Sequence, residues 1–172
     1  MNIEIRKGDI TRVETDAVVN AANSTLLGGG GVDGAIHRAA GKQLLAECRK
    51  LRETTLQDGL PAGQAVATGG YELPARWVIH TVGPVYAKTK DKSDILASCY
   101  RESLRVADEI GARSVAFPAI SAGIYGWPMD SATKIAVDTV LATDTTVETV
   151  VFVPFSADAE TAFRAALEAA RA

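Results

Sequence analysis

Basic residues are not in excess. Lys and Arg number 18 against 21 Asp and Glu, a formal net charge of −3 over 172 residues. That balance argues against a protein that grips nucleic acid through a basic face. Cysteine is nearly absent: Cys48 and Cys99 both fall in helical patterns, without a close Cys or His partner. A disulfide framework is excluded, and a reduced, cytoplasmic setting is expected. Histidine is as scarce, with His37 and His80. The four residues show none of the short paired spacings of a zinc site, so no metal is expected, and no cofactor. No apolar run approaches the roughly 20 residues of a membrane span, and Met1–Arg6 lacks the apolar stretch of a signal peptide. No membrane partner is expected. Linkers, repeats and low-complexity stretches are missing as well, so residues 1–172 are expected to form one domain. The longest irregular segments are about Glu53–Gln64 and Gly83–Lys92. No stripe for self-association stands out, and a monomer is expected.

What is present is 47% hydrophobic residues and 23% charged ones, enough for an ordered core without cross-links. Ile3–Lys7 alternates apolar and charged residues, as an edge strand with one wet face does. Ala17–Asn20, Ala65–Thr68, Trp77–Val82, Ser114–Pro118 and Thr149–Phe155 are short apolar runs that suit strands buried on both faces. Helical patterns lie between them: Gly34–Arg52, bent at Gly41; Ile95–Ile110, stopped by Gly111; Pro128–Thr143; and Asp158–Ala170. Such alternation predicts an α/β protein with helices on both faces of a largely parallel sheet. Ligands of such sheets gather at the carboxyl ends of the strands, so the loops that follow strands carry the functional reading.

The loop after the second strand reads Asn-Ala-Ala-Asn from Asn20 to Asn23. It continues through Gly28-Gly29-Gly30-Gly31-Val32-Asp33-Gly34 to His37. Four glycines in a row let backbone N–H groups approach a ligand, and they run into a helix start, where unpaired amides and the dipole attract an anion. The segment predicts a phosphate cradle; the plainer reading is a flexible turn. It is not a P-loop, because Val32-Asp33 stands where Gly-Lys-Ser/Thr is needed. Gly29, Gly31 and Gly34 satisfy the bare dinucleotide pattern, but they lie too far from the strand end and lack the downstream acidic partner. A second small-residue loop, Pro118 to Pro128, also feeds a helix. Two such loops can grip a diphosphate through backbone donors, which fits an acidic chain that binds an anion. Trp127 reads as a loop anchor, and Tyr125, between two loop glycines, as a ligand-facing residue. The lysines of Lys88–Lys92 read as a solvated loop, with contact to an acidic partner surface as the alternative.

Four segments together carry a resemblance: Gly8-Asp9-Ile10-Thr11; Asn20 through Gly41; Ile79-His80-Thr81-Val82-Gly83-Pro84; and Ser121 through Pro128. The chain resembles the macrodomain family, and within it the MacroD-type branch. The resemblance implies a three-layer α/β/α sandwich around a mixed six-stranded sheet. It also implies a hydrolase that removes mono-ADP-ribose from acidic side chains of proteins and deacetylates O-acetyl-ADP-ribose. Partners are then ADP-ribose, ADP-ribosylated proteins and O-acetyl-ADP-ribose, with modified nucleic-acid ends left open as substrates. Two alternatives stand beside the enzyme: a reader that binds ADP-ribose without turnover, and a phosphatase acting on ADP-ribose 1″-phosphate.

Roles follow from the same resemblance. Asp9 accepts from the adenine amino group, with the Ile10 backbone beside it; taken alone, Asp9 reads as a cap. Phe155 packs on adenine, its alternative being a core phenylalanine, and the preceding Pro154 departs from the family pattern. Gly30, Gly31 and Val32 on one loop, and Ser121, Ala122, Gly123, Ile124 and Tyr125 on the other, hold the diphosphate, mostly by backbone N–H; added bulk at Gly123 is expected to block the site. Ala22 lies beside the ligand at the start of the first loop. Asn23 holds the distal ribose and Tyr125 closes over the ribose and diphosphate; with Asp33 they make the catalytic set whose presence favours an enzyme over a reader. Asn20 bonds loop backbone, with assistance to the site as its alternative; Asp33 is catalytic; and His37, four residues on, braces the loop, its alternative being a nucleophilic pair with Asp33. His80 reads as a satisfied core residue. At a helix N-terminus the Asp33 carboxylate is expected to have a normal or low pKa. It would then hold a water, rather than act as a strong base, while the substrate's own phosphate shares the proton.

Overall fold

The computed structural model describes all 172 residues. Short runs of β-branched and small apolar residues form six strands: β1 (Asn2–Ile5), β2 (Ala17–Ala22), β3 (Ala65–Gly69), β4 (Trp77–Val82), β5 (Ser114–Phe117) and β6 (Thr149–Phe152). Five helices separate them: α1 (Gly31–Ala40), α2 (Lys42–Glu53), α3 (Ser93–Ile110), α4 (Met129–Ala142) and α5 (Ala157–Arg171). The strands make one mixed sheet in the order β1-β6-β5-β2-β4-β3. All neighbours are parallel except β3, which pairs antiparallel with β4.

Strand alternation sorts the core into two halves. Ala17, Val19, Ile79, Val115, Phe117, Val150 and Phe152 face α3, α4 and α5 in a cluster of 23 buried residues. Val18, Val78, Ala116 and Val151 face α1 and α2 in a cluster of 17. The three layers expected from the resemblance are therefore present. Phe163 of α5 stacks on Phe152 with ring centroids 4.8 Å apart, and Tyr100 of α3 tilts against Phe117 at 5.1 Å.

Several boundaries differ from the sequence pattern. The pattern predicts one bent helix over 34–52; the structure has two, separated at Gly41, whose φ of +91° no ordinary helical residue adopts. A side chain there would also strike Glu72. Helix α1 starts at Gly31, three residues earlier than its pattern, because the glycines themselves enter the first turn. Strand β6 stops at Phe152, not Phe155, since Pro154 has no N–H to continue a ladder. β3 is an edge strand and mostly half-buried, not covered on both faces. β1, as the pattern indicates, is the other edge, and Gly111 closes α3 in the left-handed conformation.

Because β1, β6, β5, β2 and β4 all run the same way, the loops that follow them open on one edge of the sheet. Two backbone bonds tie those loops laterally, Gly8 N–H to Pro154 O at 3.0 Å and Val153 N–H to Phe117 O at 2.9 Å.

Candidate active site

Laid along that edge, the candidate residues follow the strand order. Asp9 and Ile10 lie past β1, Phe155 past β6, Ser121–Tyr125 past β5, and Asn20–Asp33 at and past β2. Three strand spacings separate β1 from β2, about 14 Å. That edge, of a length suited to an extended dinucleotide-sized ligand, is the candidate binding groove.

At the β1 end, the Asp9 carboxylate caps a short 3-10 turn, accepting from Thr11 N–H at 2.9 Å and Thr11 Oγ1 at 2.6 Å. Those bonds hold its pKa below the usual range. The capping alternative thus holds, and the carboxylate remains free to accept more. Ile10 sends its side chain into the smaller core and is left with its backbone; its N–H donates to nothing in the chain. Phe155 is 86% exposed, which removes the core alternative. Ala22, at the end of β2, is buried as Ile10 is.

The two glycine-bearing loops meet at the middle of the groove. Within the chain, none of the N–H groups from Gly28 to Asp33 donates, and neither do those of Ser121, Gly123, Ile124 and Tyr125. Helix α1 begins at an uncapped Gly30 and α4 after an uncapped Pro128. Two sets of free amides and two helix N-termini thus converge, an arrangement that binds anions without basic side chains. Ile124, 81% exposed, bridges them: a Cβ on Gly30 would lie 3.6 Å from its Cδ1. A Cβ on Gly123 would meet no protein atom within 4 Å, so bulk there projects into open space rather than into the chain.

Three supports of the second loop give no sign in the sequence. Tyr100, fully buried, accepts from Ile120 N–H at 3.1 Å and donates to Pro118 O. Ser121 holds a positive φ of 66° and is buried; the Gly83 next to it has no room for a side chain, which would collide with Ser121 Oγ. Tyr86 N–H donates to Tyr125 O at 2.8 Å. Trp127 is the anchor its position suggests, donating Nε1–H to Pro84 O at 3.0 Å.

Asp33 sits on the first turn of α1 and is 4% exposed. Its Oδ1 accepts from Asn20 Nδ2 at 2.9 Å and lies 3.5 Å from His37 Nε2, while its Oδ2 is buried with no hydrogen-bond partner. The expectation from the helix terminus is overturned: the carboxyl is raised above its ordinary pKa. Desolvation by burial outweighs the lowering effects of the Asn20 hydrogen bond and of His37. For Asn20 the backbone role is overturned, while its place beside the site stands. It bonds side chains, not loop backbone, because β2 turns it toward Asp33 and His80. His37 reaches no hydrogen-bond partner through Nε2; its ring packs between the Asp33 carboxylate and the loop at Gly28, where a Cβ would lie 3.8 Å from its Cδ2. Asn23 instead fastens the loop, donating to Gly28 O at 3.0 Å and accepting from Thr25 N–H at 3.0 Å. Gly29 lies between: a Cβ there would be 3.2 Å from both Asn23 Nδ2 and Asp33 Oδ2. Gly34 is more tightly constrained, since a Cβ would run into the backbone at Gly29 O. His80 is the satisfied core residue it resembles, bonded to Asn20 and to Thr68 Oγ1 at 2.9 Å. No group of three His, Cys, Asp or Glu side chains is placed to hold a metal ion.

Residues 19–136 match the Macro domain family. The Macro domain-containing protein SCO6450 of Streptomyces coelicolor is 64% identical over 165 residues, 96% of this chain and 98% of that protein. ADP-ribose glycohydrolase MACROD2 of Xenopus laevis is 55% identical over 141 residues, which are 80% of this chain and 32% of that longer protein. Among solved structures, an Oceanobacillus iheyensis macrodomain with ADP superposes at a TM-score of 0.94 and 41% identity, covering 98% of this chain and 91% of that one. With the three-layer sandwich and the paired amide loops, these likenesses place the chain in the Macro domain family, in its MacroD-type branch.

Proposed function

We propose that the protein binds ADP-ribose along this groove and hydrolyses mono-ADP-ribose from acidic side chains of proteins, and the acetyl ester of O-acetyl-ADP-ribose. One observation carries the reading: Asp33 is a buried carboxylate with one oxygen held by Asn20 and the other without a partner, on the first turn of a helix whose amides are free. The similarity to an ADP-ribose glycohydrolase supports the choice of chemistry.

Adenine lies at the Asp9 and Phe155 end, where the Asp9 carboxylate accepts from the exocyclic amine and the exposed Phe155 ring covers a face of the base. The diphosphate takes the amides of Gly30–Val32 and Ser121–Tyr125. The distal ribose then falls beside Asn23, whose second amide hydrogen is free for a hydroxyl. Water enters through the glycine run and is held by Asp33 Oδ2 and a phosphate oxygen of the ligand. Its oxygen bonds to the anomeric carbon as the ester C–O bond breaks; the leaving carboxylate departs with the protein. In the acetyl ester the same water attacks the carbonyl carbon, the acyl C–O bond breaks, acetate leaves, and the ribose oxygen takes up a proton to become a hydroxyl. The proton passes to Asp33 or to the phosphate, and the raised pKa of Asp33 suits it to take that proton better than an ordinary carboxylate would.

The test is to incubate the wild type and Asp33→Asn with an auto-modified transferase, with O-acetyl-ADP-ribose and with ADP-ribose 1″-phosphate. The expected outcome is release from the first two by the wild type, lowered about 10²-fold or more in the variant, with ADP-ribose binding retained. Saturable binding with no product in any tube would make the protein a reader; product only from the phosphate ester would make it a phosphatase.

A further inference from the structure

Beneath the carboxylate lies a chain of polar contacts that the proposed reaction does not use. His80 pairs with Asn20 across β2 and β4 and is sealed from solvent. Burial pushes its imidazole down to about 3, so it is neutral and has one N–H and one lone pair. A carboxylate can only accept, so the Asn20 group 2.9 Å from Asp33 Oδ1 is the amide N–H. The same nitrogen lies 3.1 Å from His80 Nδ1. Both amide hydrogens are then committed, and Nδ1 must be the acceptor. The imidazole proton therefore resides on Nε2 and goes to Thr68 Oγ1, whose hydroxyl turns to Gly69 O at 3.3 Å. A reversed Asn20 amide would aim its oxygen at the carboxylate and at the imidazole lone pair together.

The other titratable groups facing His80 do not disturb that polarity. Cys48 Sγ, from α2, is 4.0 Å from Nε2, and burial pushes its thiol up to about 12, so it stays protonated. The His37 ring, from α1, stands 6.4 Å away between centroids. Asp33 is reached only through Asn20.

We propose that His80 is a positioning residue for hydrolysis: the lone pair on Nδ1 orients the Asn20 amide, which in turn ties Asp33 Oδ1 and leaves Oδ2 as the oxygen free for water. The proposal deepens the hydrolytic reading of Asp33 and rests on it for its consequence in turnover, but its structural content is measurable without any turnover.

Three measurements test it. Nitrogen-15 shifts of His80 in the unliganded wild type are expected to report the neutral Nε2–H tautomer; an Nδ1–H tautomer would overturn the proposal outright. The Asp33 carboxyl is then titrated by carbon-13 NMR in the wild type, His80→Leu and His80→Asn. Leucine removes the lone pair and frees the Asn20 amide to turn, so the Asp33 pKa is expected to rise further. Asparagine puts an amide oxygen where Nδ1 was and is expected to return the pKa toward the wild-type value. Should His80→Leu fail to fold, Thr68→Val takes its place; it removes the acceptor of the Nε2 proton and is expected to move Asp33 the same way. In turnover, His80→Leu is expected to lower kcat about tenfold and to move the acid limb of its pH profile upward, with ADP-ribose affinity unchanged. An unshifted Asp33 in the leucine and valine variants, or an asparagine variant as displaced as leucine, would refute the role. If the wild type itself releases no product, the functional proposal fails while the tautomer and the titration still decide the role of His80.

Discussion

Gly29→Ala separates the stability of the first loop from its chemistry. Gly29 does not hold a positive φ, so alanine can adopt its backbone conformation. Stiffening the unfolded chain favours alanine by about 0.4–1 kcal/mol. Against that, the new methyl carbon stands 3.2 Å from Asn23 Nδ2 and from Asp33 Oδ2, tighter than ordinary contact, so both side chains must give by a few tenths of an ångström. The two effects oppose each other. In a chain of this length Tm is expected to stay within about 4 °C of the wild type. The same methyl occupies the space beside the one free oxygen of Asp33, where the attacking water is proposed to bind. Displacing a reacting group by an ångström costs about 10² in rate, and single-turnover release of ADP-ribose from a modified protein is expected to fall by that factor or more. The diphosphate amides lie further along the loop, so calorimetry should find ADP-ribose affinity reduced about tenfold at most. Wild-type turnover in a well-folded Gly29→Ala protein would refute the placement of the water. A fall in Tm well beyond the stated range would show that Gly29 is structural.

The pH dependence of stability carries a sign that can be checked. The folded-state pKa of Asp33 is raised above its unfolded value near 3.8, so folding favours the protonated form. The cost of ionising it is fully present above the folded pKa and fades as the pH falls toward the unfolded one. Asp33→Asn, which retains an acceptor for Asn20, is expected to melt above the wild type near neutral pH, and the gap is expected to close on acidification. A gap that widens in acid would contradict the burial argument. Tyr100→Phe strands the buried Ile120 N–H and is expected to cost about 1–3 kcal/mol in urea denaturation. Calorimetry of that variant should also show weaker ADP-ribose binding, because the second loop loses its support.

Most of the sheet was legible in the amino-acid sequence because short apolar runs separated by amphipathic stretches have few other folds open to them. Trp77–Val82 matches its pattern to the residue. Where the pattern misleads, a single local effect is responsible: an apolar spacing that runs through Gly41 without registering its φ, and a run at 149–155 that Pro154 cuts short. The site divides in the same way. The glycine run, Asp33 and Asn23 announce themselves because free amides and a carboxylate at a helix start have a physical purpose. Tyr100, Gly83 and Tyr86 do not, since their contribution depends on contacts with residues 20 to 39 positions away. The Asp33 pKa is not legible in the same way, because a helix terminus is visible in a sequence and desolvation is not; only the packing of Asn20, Gly29 and His37 around the carboxyl shows which effect is larger.

The division of the interior into two clusters bears on how the groove fails. The first loop hangs from Leu26 and Ile36 on the α1 and α2 side, and the second from Ile120 and Trp127 on the α3, α4 and α5 side. Each jaw of the groove is thus rooted in its own reservoir of apolar contact, with the sheet as a partition. Softening one reservoir, by heat or by a cavity at Leu44, lets one jaw gape while the other stands firm. Ligand capture is then lost at a lower temperature than helical content, and a nucleotide already in place staples the two halves into one melting unit.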